Sequence, residues 1–182
     1  MLNDQHTGLM IIDVQGALAH RVNNAEQCLT NIKTLIVGAK HLGLPIILVA
    51  HEPDKLGPVN DHISQLLPDI PPLNKHTFNA CDNQQVLEHV NSANRKQWLV
   101  CGMEAHVCVY QSARGLQQHG FEVEVVADAC GSRLGDDHRI AMQRMARLGI
   151  GVTGVEMCLY ELMGDARHPA FKPLLPHFKS RG

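Results

Sequence analysis

Long apolar runs are missing from this sequence. The longest, such as Pro45 to Ala50, fall far short of the roughly 20 residues a membrane-spanning helix needs. Charge of one sign is missing too. Sixteen Lys and Arg stand against eighteen Asp and Glu, a net charge of −2 with histidine neutral. No basic block or acidic tail occurs, so there is no electrostatic case for nucleic acid or a membrane surface. The six cysteines, Cys28, Cys81, Cys101, Cys108, Cys130 and Cys158, include no CxxC pair, which argues against a zinc knuckle or a disulfide framework. The segment Met1–His6 is polar and lacks the basic-then-apolar pattern of a secretory signal. No repeat, low-complexity tract or linker interrupts the chain. These absences predict a soluble, cytoplasmic protein with reduced thiols.

The 182 residues, 45% of them apolar, suit one domain over 1–182 with a full core. Gly8 to Asp13 reads as a buried parallel strand ending in a carboxylate. Asn23 or Asn24 then caps a helix whose face is Ala25, Cys28, Leu29, Ile32, Leu35, Ile36, Ala39 and Leu42, with Gly43 as its stop. Pro45 to Ala50 is a second buried strand, and a right-handed crossover makes the pair parallel. His51 to Pro72 is proline-rich and irregular, with a short helix near His62 to Leu67. Leu73 to Phe78 contains a short strand. A helix near Asn83 to Val90 precedes a strand running into Gly102. A fifth strand covers Phe121 to Val126, with Ala127 to Cys130 leaving it. A helix over Asp136 to Leu148 leads to a last strand, Ile150 to Val152. Thr153 and Glu156 match a capping box for the next helix. The apolar tail from Asp165 is expected to dock on the domain or on a second subunit. The pattern predicts a three-layer α/β/α fold: an open, mainly parallel six-stranded sheet with helices on both faces.

Ligands of such sheets bind at the C-terminal ends of strands, where the strand order reverses. Asp13, Lys75 and the turn before Cys108 map to such ends. Cys108 opens an apolar helical pattern through Val109, Ser112, Ala113 and Leu116. A thiol at a helix N-terminus sees the positive end of the dipole, which favours thiolate. Taken alone, each residue has a plainer reading: Cys108 as core packing, Asp13 as a turn cap, Lys75 as a surface lysine.

The segments Ile11-Ile12-Asp13-Val14-Gln15, Asn74-Lys75-His76-Thr77-Phe78 and Cys101-Gly102-Met103-Glu104-Ala105-His106-Val107-Cys108-Val109 resemble the isochorismatase-like cysteine hydrolases. Val126 to Cys130 and Leu162 to Lys172 resemble the isochorismatase domain-containing subgroup. The resemblance implies a triad of Asp13, Lys75 and Cys108. Cys108 would attack a carbonyl carbon, Asp13 would take and return the proton, and Lys75 would hold Asp13 and favour thiolate. It also implies a cis Met103–Glu104 peptide and an oxyanion hole made by the backbone N–H groups of Glu104 and Cys108. Gln15, His76 and His106 are candidate pocket-lining residues, with Gln15 the more suited to ordering its loop.

The nicotinamidases of that superfamily carry an Asp-x-His metal motif. The loop here, His51-Glu52-Pro53-Asp54 through His62, lacks that spacing, so no metal and no other cofactor is expected. Three functions compete. The first is hydrolysis of a C–N bond in a small amide, carbamoyl or ureido substrate. The second is vinyl-ether hydrolysis of isochorismate, for which arginines near the site, such as Arg114 or Arg133, would speak. The third is a binding protein without turnover. The resemblance further implies a homo-oligomer, a dimer or larger.

Overall fold

The computed structural model describes residues 1–181. Its centre is one six-stranded sheet in the order β3-β2-β1-β4-β5-β6. The strands are β1 (Thr7–Ile12), β2 (Ile46–His51), β3 (Leu73–Lys75), β4 (Gln97–Met103), β5 (Glu122–Gly131) and β6 (Gly151–Thr153). Every pairing between them is parallel. The apolar runs of β1 and β4 are buried throughout, as central parallel strands require. β1 and β4 are neighbours, and the chain turns outward from them in opposite directions. The C-terminal ends of β1 and β4 therefore border the crevice where this fold class takes ligands.

The helices are α1 (Leu18–Arg21), α2 (Ala25–His41), α3 (Pro53–Leu56), α4 (Asp61–Leu66), α5 (Gln84–Ser92), α6 (Tyr110–Gln118), α7 (Gly135–Arg147), α8 (Val155–Met163) and α9 (Phe171–Lys179). α2 is packed by α4, α8 and α9, whereas α6 packs against α7. Gly38 lets α8 approach α2, because a Cβ there would meet the Leu159 side chain at 2.4 Å. Among the described residues no helix is long and apolar enough to cross a membrane.

Several local expectations are corrected. β5 does not end at Val126 but runs to Gly131, pairing Gly102 with Cys130 and Met103 with Gly131 after a register shift in β4. Asp128, which breaks the apolar run in sequence, is what obscures this continuation. Its side chain serves a distant element. Oδ1 accepts from the Val155 backbone N–H at 2.9 Å and so caps α8. The Thr153–Glu156 capping box is thereby displaced. The Thr153 hydroxyl donates to the Gly154 carbonyl, and Glu156 faces Arg181 at 3.6 Å. Asn24 occupies the N-cap position of α2 at a φ of 54° and makes no side-chain cap. The tail docks on its own domain. Tyr160 of α8 stacks on Phe178 at 5.0 Å between centroids, and Arg181 pairs with Asp128.

Candidate active site

Three strand ends deliver the expected side chains to one place. Asp13 follows β1 with a φ of 53°, and its N–H donates to Val49 of β2 at 3.0 Å. Lys75 closes β3 opposite His51, the last residue of β2, and is fully buried. Cys108 is 6% exposed and sits in a single π turn, Ala105–Val109, between β4 and α6. π turns recur at functional sites because they re-aim a side chain within a helix. The Met103–Glu104 peptide that leads into the turn is cis.

Lys75 Nζ donates to Asp13 Oδ2 at 2.8 Å and to His51 Nδ1 at 3.2 Å. An ammonium can only donate, so Nδ1 is the acceptor and the neutral ring carries its proton on Nε2. Asp13 Oδ1 is buried with no hydrogen-bond partner among the described residues. A carboxylate oxygen of Asp13, a ring nitrogen of His51 and the Cys108 Sγ lie within 4.8 Å of one another. A buried acceptor with a free lone pair beside a thiol is suited to take that thiol's proton.

Burial raises the Asp13 carboxyl above its ordinary value, against the opposing pull of Lys75. Burial, reinforced by the Asp13 charge, pushes the Cys108 thiol up to about 12. Burial and the Asp13 charge thus favour the thiol form, and the Lys75 charge opposes them, where the helix N-terminus alone was expected to favour thiolate. The reason is local: α6 begins only at Tyr110, and the thiol lies in a dry site beside a carboxylate. Burial, and after it the Lys75 charge, lowers the His51 imidazole below its ordinary value.

A cavity of about 470 Å³ opens on Asp13 and Cys108. Met103, Glu104 and Val107 line it from the β4 end and the π turn, Leu18 and Arg21 from α1, Lys55 and Leu56 from α3, with His51, Phe78 and Arg133. Phe78 stacks on the His51 ring at 5.6 Å between centroids. A second cavity of about 280 Å³, bordered by Asn24, Asn31, Asp128 and His138, includes none of Asp13, Lys75 and Cys108.

The three candidate pocket-lining residues are placed elsewhere. Gln15 is fully buried and staples loops: its Nε2 donates to the His51 and Gly57 carbonyls, and its Oε1 accepts from the His51 N–H. His76 is exposed and pairs with Glu52. His106 turns to Ser132 Oγ at 3.0 Å and does not line the cavity. Arg114 bonds Gln117 along α6, away from the cavity, whereas Arg133 lines it. Sequence reasoning missed Arg21. The signal was its place in the β1–α2 connection, since loops after the central strands border the crevice.

His51, Glu52, Asp54 and His62 do not form an ion-holding group among the described residues; Asp13, His51 and Cys108 do. In that group Lys75 Nζ donates to Asp13 Oδ2 and His51 Nδ1, and Asp13 Oδ1 is left without a partner.

Residues 7–157 match the Isochorismatase domain family. The chain belongs to the isochorismatase family. Isochorismatase domain-containing protein 2 from Homo sapiens is 30% identical over 167 residues, covering 91% of this chain and 80% of that protein. Among solved structures, YcaC from Pseudomonas aeruginosa with hexane-2,5-diol and covalent acrylamide superposes with a TM-score of 0.93 at 25% identity, covering 99% of this chain and 93% of that one. The YcaC gene product of Escherichia coli, an octameric hydrolase of unknown specificity, superposes with a TM-score of 0.88 at 25% identity, covering 100% and 97%. The expected α/β fold and family are thus both found, and the fold is that of the isochorismatase-family hydrolases.

Proposed function

We propose that this isochorismatase-family chain is a cysteine hydrolase that cleaves a C–N bond of a small amide, carbamoyl or ureido substrate. The observation that carries the reading is the unpaired Asp13 oxygen close to a thiol whose proton is held tightly. As Cys108 Sγ attacks the carbonyl carbon, Asp13 takes the thiol proton, and the oxygen gathers negative charge. The backbone N–H groups of Glu104 and Cys108, both bordering the cavity, are the donors assigned to that oxyanion. Asp13 returns the proton to the leaving nitrogen, the C–N bond breaks, and a thioester remains. Water then attacks the thioester with Asp13 again as base, releasing the acid and the thiol. Lys75 fixes Asp13 and offsets its charge throughout. The covalent acrylamide in the Pseudomonas aeruginosa neighbour supports a reactive nucleophile within this fold, because acrylamide is an acceptor for thiols. The octameric neighbour supports a homo-oligomeric assembly for this chain as well.

The test is ammonia or amine release from a panel of small amides and ureides. Wild type should turn over at least one, and Cys108→Ala and Asp13→Asn should each lose that turnover. Retained turnover in Cys108→Ala would overturn the mechanism. Arg21 and Arg133 on the cavity wall favour one second reading, vinyl-ether hydrolysis of isochorismate. That chemistry needs a proton donor more than a thiol, so it should survive Cys108→Ala and fail in Asp13→Asn.

A further inference from the structure

We propose that Ser132 and His106 are positioning residues of this site: their hydrogen bond, backed by Asp137, holds the turn that points the Glu104 and Cys108 amides at the oxyanion. This rests on the hydrolase reading above, because only a carbonyl under attack needs those amides aimed.

The π turn, Ala105–Val109, hangs from Glu104, whose carbonyl accepts from the Val107 and Val109 N–H groups at 3.0 and 3.2 Å. What fixes Glu104 and its neighbours therefore fixes the turn. The grip comes from the loop between β5 and α7. Glu104 Oε2 accepts from the Arg133 backbone N–H at 2.9 Å. One residue earlier in that loop, Ser132 Oγ meets His106 Nδ1 at 3.0 Å. On its other side the ring presents Nε2 to Asp137 Oδ2 at 3.7 Å. A carboxylate facing Nε2 favours a proton there, so Nδ1 accepts from the Ser132 hydroxyl. Consecutive loop residues thus hold residues 104 and 106 of the segment that leads to Cys108.

The loop is itself a fixed platform. Ser132 is 1% exposed, and its carbonyl accepts from the Asn23 N–H at 2.8 Å. Gly131 pairs with Met103 at the end of β4, and a Cβ on Gly131 would meet Val22 at 2.7 Å. The run of β5 through Asp128 to Gly131 is what brings Ser132 within reach of the turn. Swinging the His106 ring away would leave the buried Ser132 hydroxyl unpaired, which resists the motion. Neither Ser132 nor His106 lines the cavity on Asp13 and Cys108. Their effect on the reaction passes through the turn, by keeping the amide donors where negative charge develops.

Two reagents separate aim from reactivity without a known substrate. Iodoacetamide alkylates Cys108 by displacing iodide and forms no oxyanion. p-Nitrophenyl acetate acylates it through a tetrahedral oxyanion: the Sγ–C bond forms, the C–O bond breaks, p-nitrophenolate leaves and Asp13 takes the thiol proton. Both products are read at Cys108 by peptide mass spectrometry, and the second also by nitrophenolate absorbance, with Cys108→Ala as the blank. Ser132→Ala and His106→Leu should slow acylation about tenfold and alkylation less than about twofold, since the aim of an oxyanion donor is worth at least that. His106→Asn keeps an acceptor in place of Nδ1 and should recover most of the acylation rate. Asp136→Asn is the control: Asp136 pairs with Arg139, and both rates should match wild type. On an amide that the chain hydrolyses, Ser132→Ala and His106→Leu should lower kcat and leave KM unchanged. Parallel losses in the two reactions, unchanged acylation, or His106→Asn as slow as His106→Leu would each overturn the positioning role. A wild type that is alkylated but never acylated overturns the hydrolase reading and this role with it. A wild type acylated no faster than its variants keeps that reading and loses the role of Ser132 and His106.

Discussion

Lys75 Nζ lies 2.8 Å from Asp13 Oδ2, and the two side chains are 0% and 2% exposed. Removing one partner from such a pair leaves an uncompensated charge in a dry site. Lys75→Met is therefore expected to destabilise the fold by about 3–5 kcal/mol, read from urea melts. The double variant Asp13→Asn with Lys75→Met should recover much of that loss, because no unmatched charge remains. If the double variant is as unstable as the sum of the singles, the two residues do not act as a pair.

The thiols set the alkaline limit. Cys28, Cys81, Cys108 and Cys158 are pushed up to about 12, and Cys101 and Cys130 well above their ordinary value, in each case chiefly by burial. Folding raises these values, so the folded chain holds protons that the unfolded chain releases from about pH 9 upward. The contribution of these thiols to stability should be constant below that point and fall as pH rises from 9 toward 12, by about 1.4 kcal/mol per pH unit for each participating thiol. Thermal melts between pH 7 and 11 check the direction, and Cys28→Ala with Cys158→Ala should flatten the slope. Alkylation of Cys108 by iodoacetamide should also keep accelerating past pH 9, where a free thiol levels off.

The sequence carries the site's strand-end residues more clearly than it carries the site's walls. Asp13 is legible because an unbroken apolar run ends on it, and Lys75 because its neighbours form a separate motif. Local pattern places both at strand ends, where ligands of such sheets bind, but their joint role at the site came from the resemblance to the isochorismatase-like hydrolases, since alone each has a plainer reading. Asp128 shows the opposite case. In the chain it looks like the residue that ends β5, yet it serves a helix 27 residues later and so permits the strand to continue. His51 reads in sequence as a loop histidine. Only the β2–β3 register puts it opposite Lys75. The protonation of Cys108 was equally hidden, because it depends on burial by residues scattered over the chain.

His51 accepts from Lys75 Nζ at 3.2 Å and stacks on Phe78, so the neutral ring helps to aim the ammonium at Asp13. Its value is lowered in the fold, so the folded chain resists protonation there. The stability this brings is complete above the ordinary imidazole value of 6.5 and is lost as pH falls below it through the lowered folded value. Activity should fall only as pH passes through the lowered folded value, where the imidazolium forms and repels Lys75. His51→Gln keeps an acceptor but cannot charge. Turnover of whichever amide the screen identifies should then persist to lower pH than in wild type, while His51→Leu should be impaired at every pH. An unchanged acid limb in His51→Gln would assign the titration to another group.

Gly102 sets the distance between the two central strands at their active ends. Its φ is 124°, and a Cβ built there would stand 2.0 Å from the Ile12 carbonyl oxygen, the residue just before Asp13. Gly43 makes the matched control: its φ is 66°, but a Cβ there meets nothing within 4 Å. Gly43→Ala thus isolates the conformational penalty of a left-handed residue, about 1 kcal/mol. Gly102→Ala adds a clash with backbone that cannot swing aside, and should cost at least about 2 kcal/mol more. The two variants also differ in where the damage falls. Pushing β4 from β1 moves the π turn that carries Cys108 relative to Asp13, so Gly102→Ala should slow alkylation of Cys108 at neutral pH even under conditions where it stays folded. Gly43→Ala should leave that rate as it is. Equal losses in the two variants would mean that the close approach of β4 to β1 contributes nothing beyond backbone conformation.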